Sequence, residues 1–420
     1  MAMKRSAFGE RFSRTSGTLQ LMEDLGDALS GARDIAMLGG GNPAHIPEVQ
    51  SFFVDRMQRI CDQPAEFSHL IGDYDPPRGE PRFIAALADL LRGEYGWDIG
   101  PENIALTAGS QSAFFQLFNM FAGPCADGSF RRILLPMTPE YIGYADVGLV
   151  DGMFTSQRPT IETFPDDTFK YHVDFEHLDV GPDIGAICVS RPTNPTGNVL
   201  SDDEVDRLHA LARARDIPLI IDNAYGKPFP NIVFTEIKVP WSEHIILSMS
   251  LSKLGLPGVR TGIVIARAEI ARDIAAMNAI FTLALGSLGP TIALDLISSG
   301  EVLRLSNNVI RPYYERKARQ TQELLRAALQ GVDFRIHRAE GAIFLWVWFP
   351  GLSISSEELY RRLKQRGVLV LSGHHFFPGL QEEWQHRHEC LRISYAMPDE
   401  MVRRGVQILA EEVRRASGAG

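Results

Sequence analysis

Five apolar runs limit what this chain can become: Ile133-Leu-Leu-Pro136, Ala186-Ile-Cys-Val-Ser190, Pro218-Leu-Ile-Ile-Asp222, Ile245-Ile-Leu247 and Gly262-Ile-Val-Ile265. None alternates apolar with polar residues, so each reads as a strand buried on both faces. The stretches between them, such as Asp202 to Arg215, have the length and polarity of helices. That alternation predicts an α/β fold, a mostly parallel sheet covered by helices. Ligands of such sheets sit at the carboxyl ends of the strands. There the chain places Thr107, Pro139-Glu-Tyr141, Asn194, Asp222, Tyr225 and Lys253.

Lys253 stands in the loop between the last two runs. Ser248-Met-Ser250-Leu-Ser252-Lys253-Leu-Gly255-Leu-Pro257-Gly258-Val-Arg260-Thr-Gly262 reads as strand, loop, strand, with the lysine among small residues. Serine hydroxyls, amides bared by glycine and an arginine seven residues after the lysine make an anion cradle suited to a phosphate. An amine beside such a cradle is what pyridoxal phosphate needs: an imine partner for its aldehyde and a grip on its phosphate. A solvated loop lysine beside a structural arginine would carry the same letters.

Other stretches add to it. Asn103-Ile-Ala-Leu-Thr107 reads as a strand, followed by the turn Ala108-Gly-Ser110-Gln111-Ser112 and a helix over 113–121. Such a helix start aims free amides and the positive dipole end at an anion, although an ordinary capped helix looks the same. In Ser190-Arg-Pro-Thr-Asn194-Pro-Thr-Gly197, two prolines and a glycine fix the backbone so that the asparagine amide can face a ligand. Asp222 ends an Ile-Ile strand, where a carboxylate is costly unless paired. A protonated pyridine nitrogen is a natural partner and makes the ring an electron sink. A turn cap for Asp222 and a buried hydroxyl for Tyr225 are the plainer alternatives. Gly39-Gly-Gly41 would let backbone approach a ligand closely, and Gly72-Asp-Tyr74-Asp-Pro-Pro-Arg-Gly79 is a turn cluster carrying one tyrosine.

A chain of 420 residues exceeds one ordinary core. The expected division is an arm with part of a small domain over 1–44, a large cofactor-binding domain over 45–305 and a C-terminal small domain over 306–420. The last is α+β in texture: a polar helix near 302–329, strands near 341–349, 367–371 and 391–395, and a closing helix with Val402, Val406, Leu409 and Val413 on one stripe. In the arm, Leu19, Met22, Leu25 and Leu29 recur at helical spacing.

A net charge of −10 speaks against a nucleic-acid partner. Residues 274–294 carry no charge but are interrupted by Asn278 and Gly286-Ser-Leu-Gly-Pro290, so they read as two interior helices around a bend and not as a membrane span. The start has no apolar h-region, which predicts no secretory signal. Four scattered cysteines, Cys61, Cys125, Cys188 and Cys390, suggest plain buried thiols in a reducing, cytoplasmic setting. His374-His375 and His386-Arg-His388 lack a partner at metal spacing, and no metal site is expected.

With Asn194-Pro-Thr-Gly197, Asp222-x-x-Tyr225 and Ser250-x-Ser252-Lys253…Gly258-x-Arg260 in that order, the chain resembles the fold-type I pyridoxal-phosphate aminotransferases over nearly its whole length. Leu21-Met-Glu-Asp-Leu25, Gly39-Gly-Gly-Asn-Pro43, Gly109-Ser-Gln-Ser-Ala-Phe-Phe115, Pro139-Glu-Tyr-Ile-Gly-Tyr144, Lys170-Tyr-His-Val-Asp-Phe-Glu-His177 and Phe376-Phe-Pro-Gly379 resemble one branch, the valine–pyruvate aminotransferases. The resemblance implies that Lys253 binds the cofactor as a Schiff base and then moves the substrate's α-proton. Asp222 would pair with the ring nitrogen, Asn194 and Tyr225 with the ring's phenolic oxygen, and Tyr141 would stack on the ring. Ser110, Gln111, Ser250, Ser252 and Arg260 would hold the phosphate, joined by Tyr74 of a second subunit. Arg392 would clamp the substrate carboxylate, with Asn194 and the backbone of Gly41 beside it. Arg260 follows the lysine one residue sooner than in many members, as other branches also allow.

The implied activity is ping-pong transamination, L-valine and pyruvate giving 3-methyl-2-oxobutanoate and L-alanine, by a homodimer with shared sites acting on amino acids and 2-oxo acids. Apolar surface at Phe281-Thr-Leu-Ala-Leu285 would favour small neutral side chains. The alternatives are a broad neutral amino acid aminotransferase and a β-eliminating lyase on the same fold. A cofactor-sensing transcription regulator would need a basic DNA-binding domain, and the chain reaches Gly39 too soon for one.

Overall fold

A computed structural model describes residues 3–14, 16–17, 19, 22–23, 26 and 35–417. Of the helical pattern expected in the arm, Leu25 and Leu29 lie outside the described residues.

The larger sheet runs in the order Ile104–Thr107, Gly262–Ile265, Ile245–Ser250, Leu219–Asp222, Ile184–Ser190, Phe130–Leu135, with Phe154–Ser156 and the short Gly123–Pro124 both on the last of these. Gly262–Ile265 is antiparallel to both its neighbours, and Gly123–Pro124 is antiparallel to Phe130–Leu135. The remaining strands point one way. Continuous apolar strands follow from the period of two. Leu219 and Ile221 enter one core while Ile220 enters the other; Ile245 and Leu247 oppose Ile246, and Ile263 and Ile265 oppose Val264. Phe114, Leu117 and Phe118 of the helix Ser110–Phe121 and Ile270, Ala271 and Ile274 of Ala268–Phe281 fill the second core. On the first side lie Phe83, Leu87 and Leu91 of Pro81–Tyr95, which ends at left-handed Gly96, and Val205 and Leu208 of Asp202–Ala214. Ser201 and Glu204 begin the latter helix with reciprocal bonds between side chain and main chain. The uncharged stretch is indeed two helices, Ala268–Phe281 and Leu288–Ser298. Among the described residues no helix is long and apolar enough to cross a membrane.

A second sheet runs Leu371–Ser372, Cys390–Ser394, Phe344–Trp348, Arg335–His337, Thr168–His172, Thr160–Thr163. Its last two strands come from inside the stretch expected to form the large domain. They join through the parallel pair of Ile336 with Thr168, a long-range match that leaves no local periodicity in the sequence. Helix Asp399–Ala416 buries Val402, Val406, Leu409 and Val413. The expected polar helix is Glu301–Leu305 and Arg311–Ala328 joined by a π-helical turn. Ala36–Met37 pairs with Val368–Leu369, so the chain passes from this layer through the glycine turn to the larger sheet. The cysteines are free, but only Cys188 and Cys390 are buried; Cys61 is exposed and Cys125 intermediate, so the expectation of plain buried thiols fails for those two.

Candidate active site

Thr107, Ser190, Asp222 and Ser250 end four strands that point the same way. Above those ends lies a cavity of about 140 Å³. Ser110, Gln111, Tyr141, Asn194, Asp222 and Tyr225 line it, as do Ser250, Ser252, Lys253 and Arg260.

Lys253 sits in the turn after Ile245–Ser250, and its Nζ donates to the carbonyl of Gly41 at 2.6 Å. Burial, reinforced by the Arg392 and Arg260 guanidiniums and opposed by Asp222, pulls its amine down to about 8. An amine at that value is uncharged part of the time near neutral pH, as a proton acceptor must be. A Cβ on Gly41 would lie 3.7 Å from Nζ, so main chain comes close to the amine here.

Asp222 is the opposite case. Burial pushes its carboxyl up to about 6, against hydrogen bonds from Ala224 N–H at 3.1 Å and Tyr144 O–H at 3.0 Å. A cation placed on the open side of this carboxylate would relieve that cost.

The anion end is built from two turns. The helix Ser110–Phe121 opens directly after Gly109, at φ 86°, leaving its first amides without intrahelical partners. Arg260, itself left-handed at φ 49°, packs so tightly there that a Cβ on Gly109 would fall 2.2 Å from its Nη2. Arg260 Nη1 donates to Ser252 Oγ at 3.4 Å and Ser252 N–H to Ser250 Oγ at 3.0 Å. Hydroxyls, helix-start amides and a guanidinium in one corner are a phosphate's donor set.

Arg392, on the strand Cys390–Ser394, is 2 % exposed. Nη1 donates to Asn194 Oδ1 and Nη2 to the Gly39 carbonyl, both at 2.6 Å, and the group lies 3.9 Å from the Phe344 ring centre. Its Nε is buried and has no partner among the described residues, and burial pulls the guanidinium down to about 10. With its amide oxygen engaged, Asn194 keeps its NH2 for another acceptor. The asparagine is held by a tight turn, Gly197 N–H to Thr193 O and Thr193 N–H to Asn198 O, both at 2.8 Å.

Pyridoxal phosphate fits this donor set. An amine that loses its charge readily, a carboxylate short of a counter-charge and an anion corner share one cavity, with an under-used guanidinium behind it. Tyr74 is not in the lining; it is 83 % exposed. Phe281 and Leu283, expected to give apolar surface near the site, are exposed and do not line this cavity; the Phe281 ring packs edge-on against Phe115 at 5.7 Å. Tyr144 is the partner of Asp222, a role not expected from Tyr141-Ile-Gly-Tyr144, whose two tyrosine rings meet edge-on at 5.4 Å. His386, flagged by its neighbours, bonds Tyr171 in the interior, and among the described residues no group of side chains could hold a metal.

Residues 54–409 match the family model for aminotransferase class I and II. The chain is 51% identical over 414 residues to valine–pyruvate aminotransferase of Escherichia coli (strain K12), covering 99% of each chain. It superposes with a TM-score of 0.88 on the crystal structure of valine-pyruvate aminotransferase from Salmonella typhimurium LT2, at 50% identity, covering 96% of this chain and 100% of that one. Aspartate aminotransferase from Thermus thermophilus with maleate shares the fold, with a TM-score of 0.79 at 21% identity over 98% of this chain and 100% of the other.

Proposed function

We propose a substrate pair and residue roles for this chain, which belongs to the class I and II aminotransferases: it exchanges the amino group between L-valine and pyruvate, giving 3-methyl-2-oxobutanoate and L-alanine. Identity to the Escherichia coli enzyme along the full length supports the pair. The observation that carries it is the cavity's charge. Its cationic lining residues are Lys253 and Arg260. Arg260 belongs to the phosphate corner, and Arg392 stands behind Asn194 for the α-carboxylate. Neither is left for a second carboxylate on the substrate's side chain.

Bound pyridoxal phosphate supplies an electron sink that stabilises negative charge at the substrate's α-carbon. The chain's own residues do the rest. Lys253 Nζ takes the α-proton and returns one. Asp222 stays ionised against the ring nitrogen, held by Tyr144 and Ala224. Asn194 and Tyr225 would hold the ring at its phenolic oxygen, and Tyr141 would pack against it. Ser110, Gln111, Ser250, Ser252 and Arg260 fix the phosphate. Arg392 takes the substrate carboxylate with two parallel bonds, beside Gly41 and Asn194.

Comparing kcat/KM across amino acids tests the substrate pair. Aspartate should fall at least about 100-fold below valine, since its second carboxylate would be buried unpaired. Leucine, isoleucine and 2-aminobutyrate should fall within about 10–200-fold, because a methylene or two in an apolar pocket discriminates no more than that. Aspartate turned over as well as valine would overturn the assignment.

The working unit is a homodimer. The loop after Gly72 is tied to the last turn of the helix Ala268–Phe281 by Asn278 Nδ2 to Pro77 O at 2.8 Å, and to the bend after that helix by Ser287 to Asp75. Tyr74, Ile71, Ile280 and Leu283 therefore share a region of the surface, where Ile280 is 83 % and Leu283 63 % exposed. Side chains of that kind call for cover, and a second copy would bring its Tyr74 to the phosphate corner. Sedimentation should give twice the chain mass, and a Leu283→Asp, Ile280→Asp variant should sediment as a monomer with little activity. A fully active monomer would contradict this.

A further inference from the structure

Behind the cavity wall lies a carboxyl that the chemistry above leaves unused. Glu140 is fully buried, one residue before Tyr141. Its side chain engages Ser190 twice: the Ser190 N–H reaches Oε1 at 2.9 Å, and the Ser190 hydroxyl is bonded to Oε2. Ser190 ends its strand directly alongside Asp222 and lines the cavity. The main-chain N–H of Glu140 donates to the Phe376 carbonyl at 2.8 Å, and the Phe376 ring lies 5.4 Å from the Arg392 guanidinium. One residue thus touches the strand end beside Asp222, the loop of the stacking tyrosine and the turn under the carboxylate clamp.

Among the described residues none of its hydrogen-bond partners is charged: besides Ser190, only the Tyr141 main-chain N–H donates to the carboxyl. Asp222 and Cys188 approach from neighbouring strands and Tyr144 from the turn that follows; the Phe376 turn carries His374 and His375. An anion here would be buried without a counter-charge and next to another carboxylate. Burial pushes the Glu140 carboxyl up to about 8, against the Ser190 bonds and with Asp222 adding to the rise. A neutral carboxyl has one hydrogen to give. With one oxygen occupied by the Ser190 N–H, that hydrogen goes to Ser190 Oγ, and the serine's own hydrogen is freed for another acceptor, at a residue that lines the cavity.

We propose that Glu140 is a positioning residue held as a neutral acid, and that its proton turns the Ser190 hydroxyl into a donor aimed at the molecule in the cavity. On ionising, Glu140 gives up its own proton and becomes an acceptor only, so the Ser190 hydroxyl turns back to donate to it. The idea rests on the aminotransferase reading only in its second readout.

The sign of the pH effect follows from the raised value. The folded protein keeps this proton where the unfolded chain has lost it, so stability drains away as pH rises from the unfolded value toward about 8 and then levels off. In the cofactor-loaded protein, Glu140→Gln should melt close to the native protein at pH 5 and about 3 °C or more above it at pH 9. Melting needs no substrate, so this outcome is separate from the valine–pyruvate assignment. The amide donates to Ser190 at every pH, so the ratio of variant to native turnover should rise at least about threefold between pH 7 and pH 9.5. If the glutamine variant does not fold, Ser190→Ala carries the test: its deficit should shrink at least about threefold over the same range. A melting difference equal at pH 5 and pH 9, or turnover ratios flat with pH, would overturn the proposal.

Discussion

Replacing Lys253 with alanine is expected to lower turnover at least about 10⁴-fold, because in the proposed roles one amine both anchors the cofactor and moves the α-proton. The phosphate corner is built from other residues, Ser110, Ser252 and Arg260 among them, so the variant should still take up cofactor. That separates a chemical defect from a loss of binding. Water reaching the cavity cannot substitute for an amine whose value has been pulled down to about 8 and which sits against the Gly41 carbonyl. Single-turnover mixing of the loaded variant with valine checks this. Conversion within about tenfold of the native rate would mean that another group carries the proton.

Arg392→Ala should act on binding. Removing one partner of a buried, charge-assisted pair costs about 2–5 kcal/mol, so kcat/KM for valine should fall roughly 30-fold to several thousand-fold, mostly through KM. Lysine should not restore it. Its single ammonium cannot donate to Asn194, Gly39 and a carboxylate in the planar arrangement that a guanidinium offers. A KM left unchanged by either substitution, with kcat alone reduced, would remove Arg392 from the carboxylate site and leave it a structural tie between Gly39 and Asn194.

Much of the larger sheet was legible because its strands are buried on both faces, which writes them as unbroken apolar runs. Ile220, Ile246 and Val264 enter the core opposite to that of their neighbours, and no polar position interrupts them. The lysine loop and the Asn194 turn were legible for a different reason: small residues, proline and glycine cluster where backbone must come close to a ligand. What was hidden depends on distance along the chain. The hairpin Thr160–His172 chooses its sheet by pairing with residues near 336, and no local pattern announces that. Tyr144 and Glu140 took their meaning from Asp222 and Ser190, far off in sequence. Phe281 and Leu283 read as apolar surface near the site, and in the chain they are exposed and outside the cavity lining.

The most direct test of the substrate assignment is the visible spectrum of the purified protein during addition of L-valine and then pyruvate. Valine should deplete the cofactor's visible band and pyruvate should restore it, which would establish both half-reactions. A band untouched by valine but depleted by aspartate or glutamate would contradict the valine–pyruvate assignment, and the absence of any such band after cofactor is added would contradict the role given to Lys253.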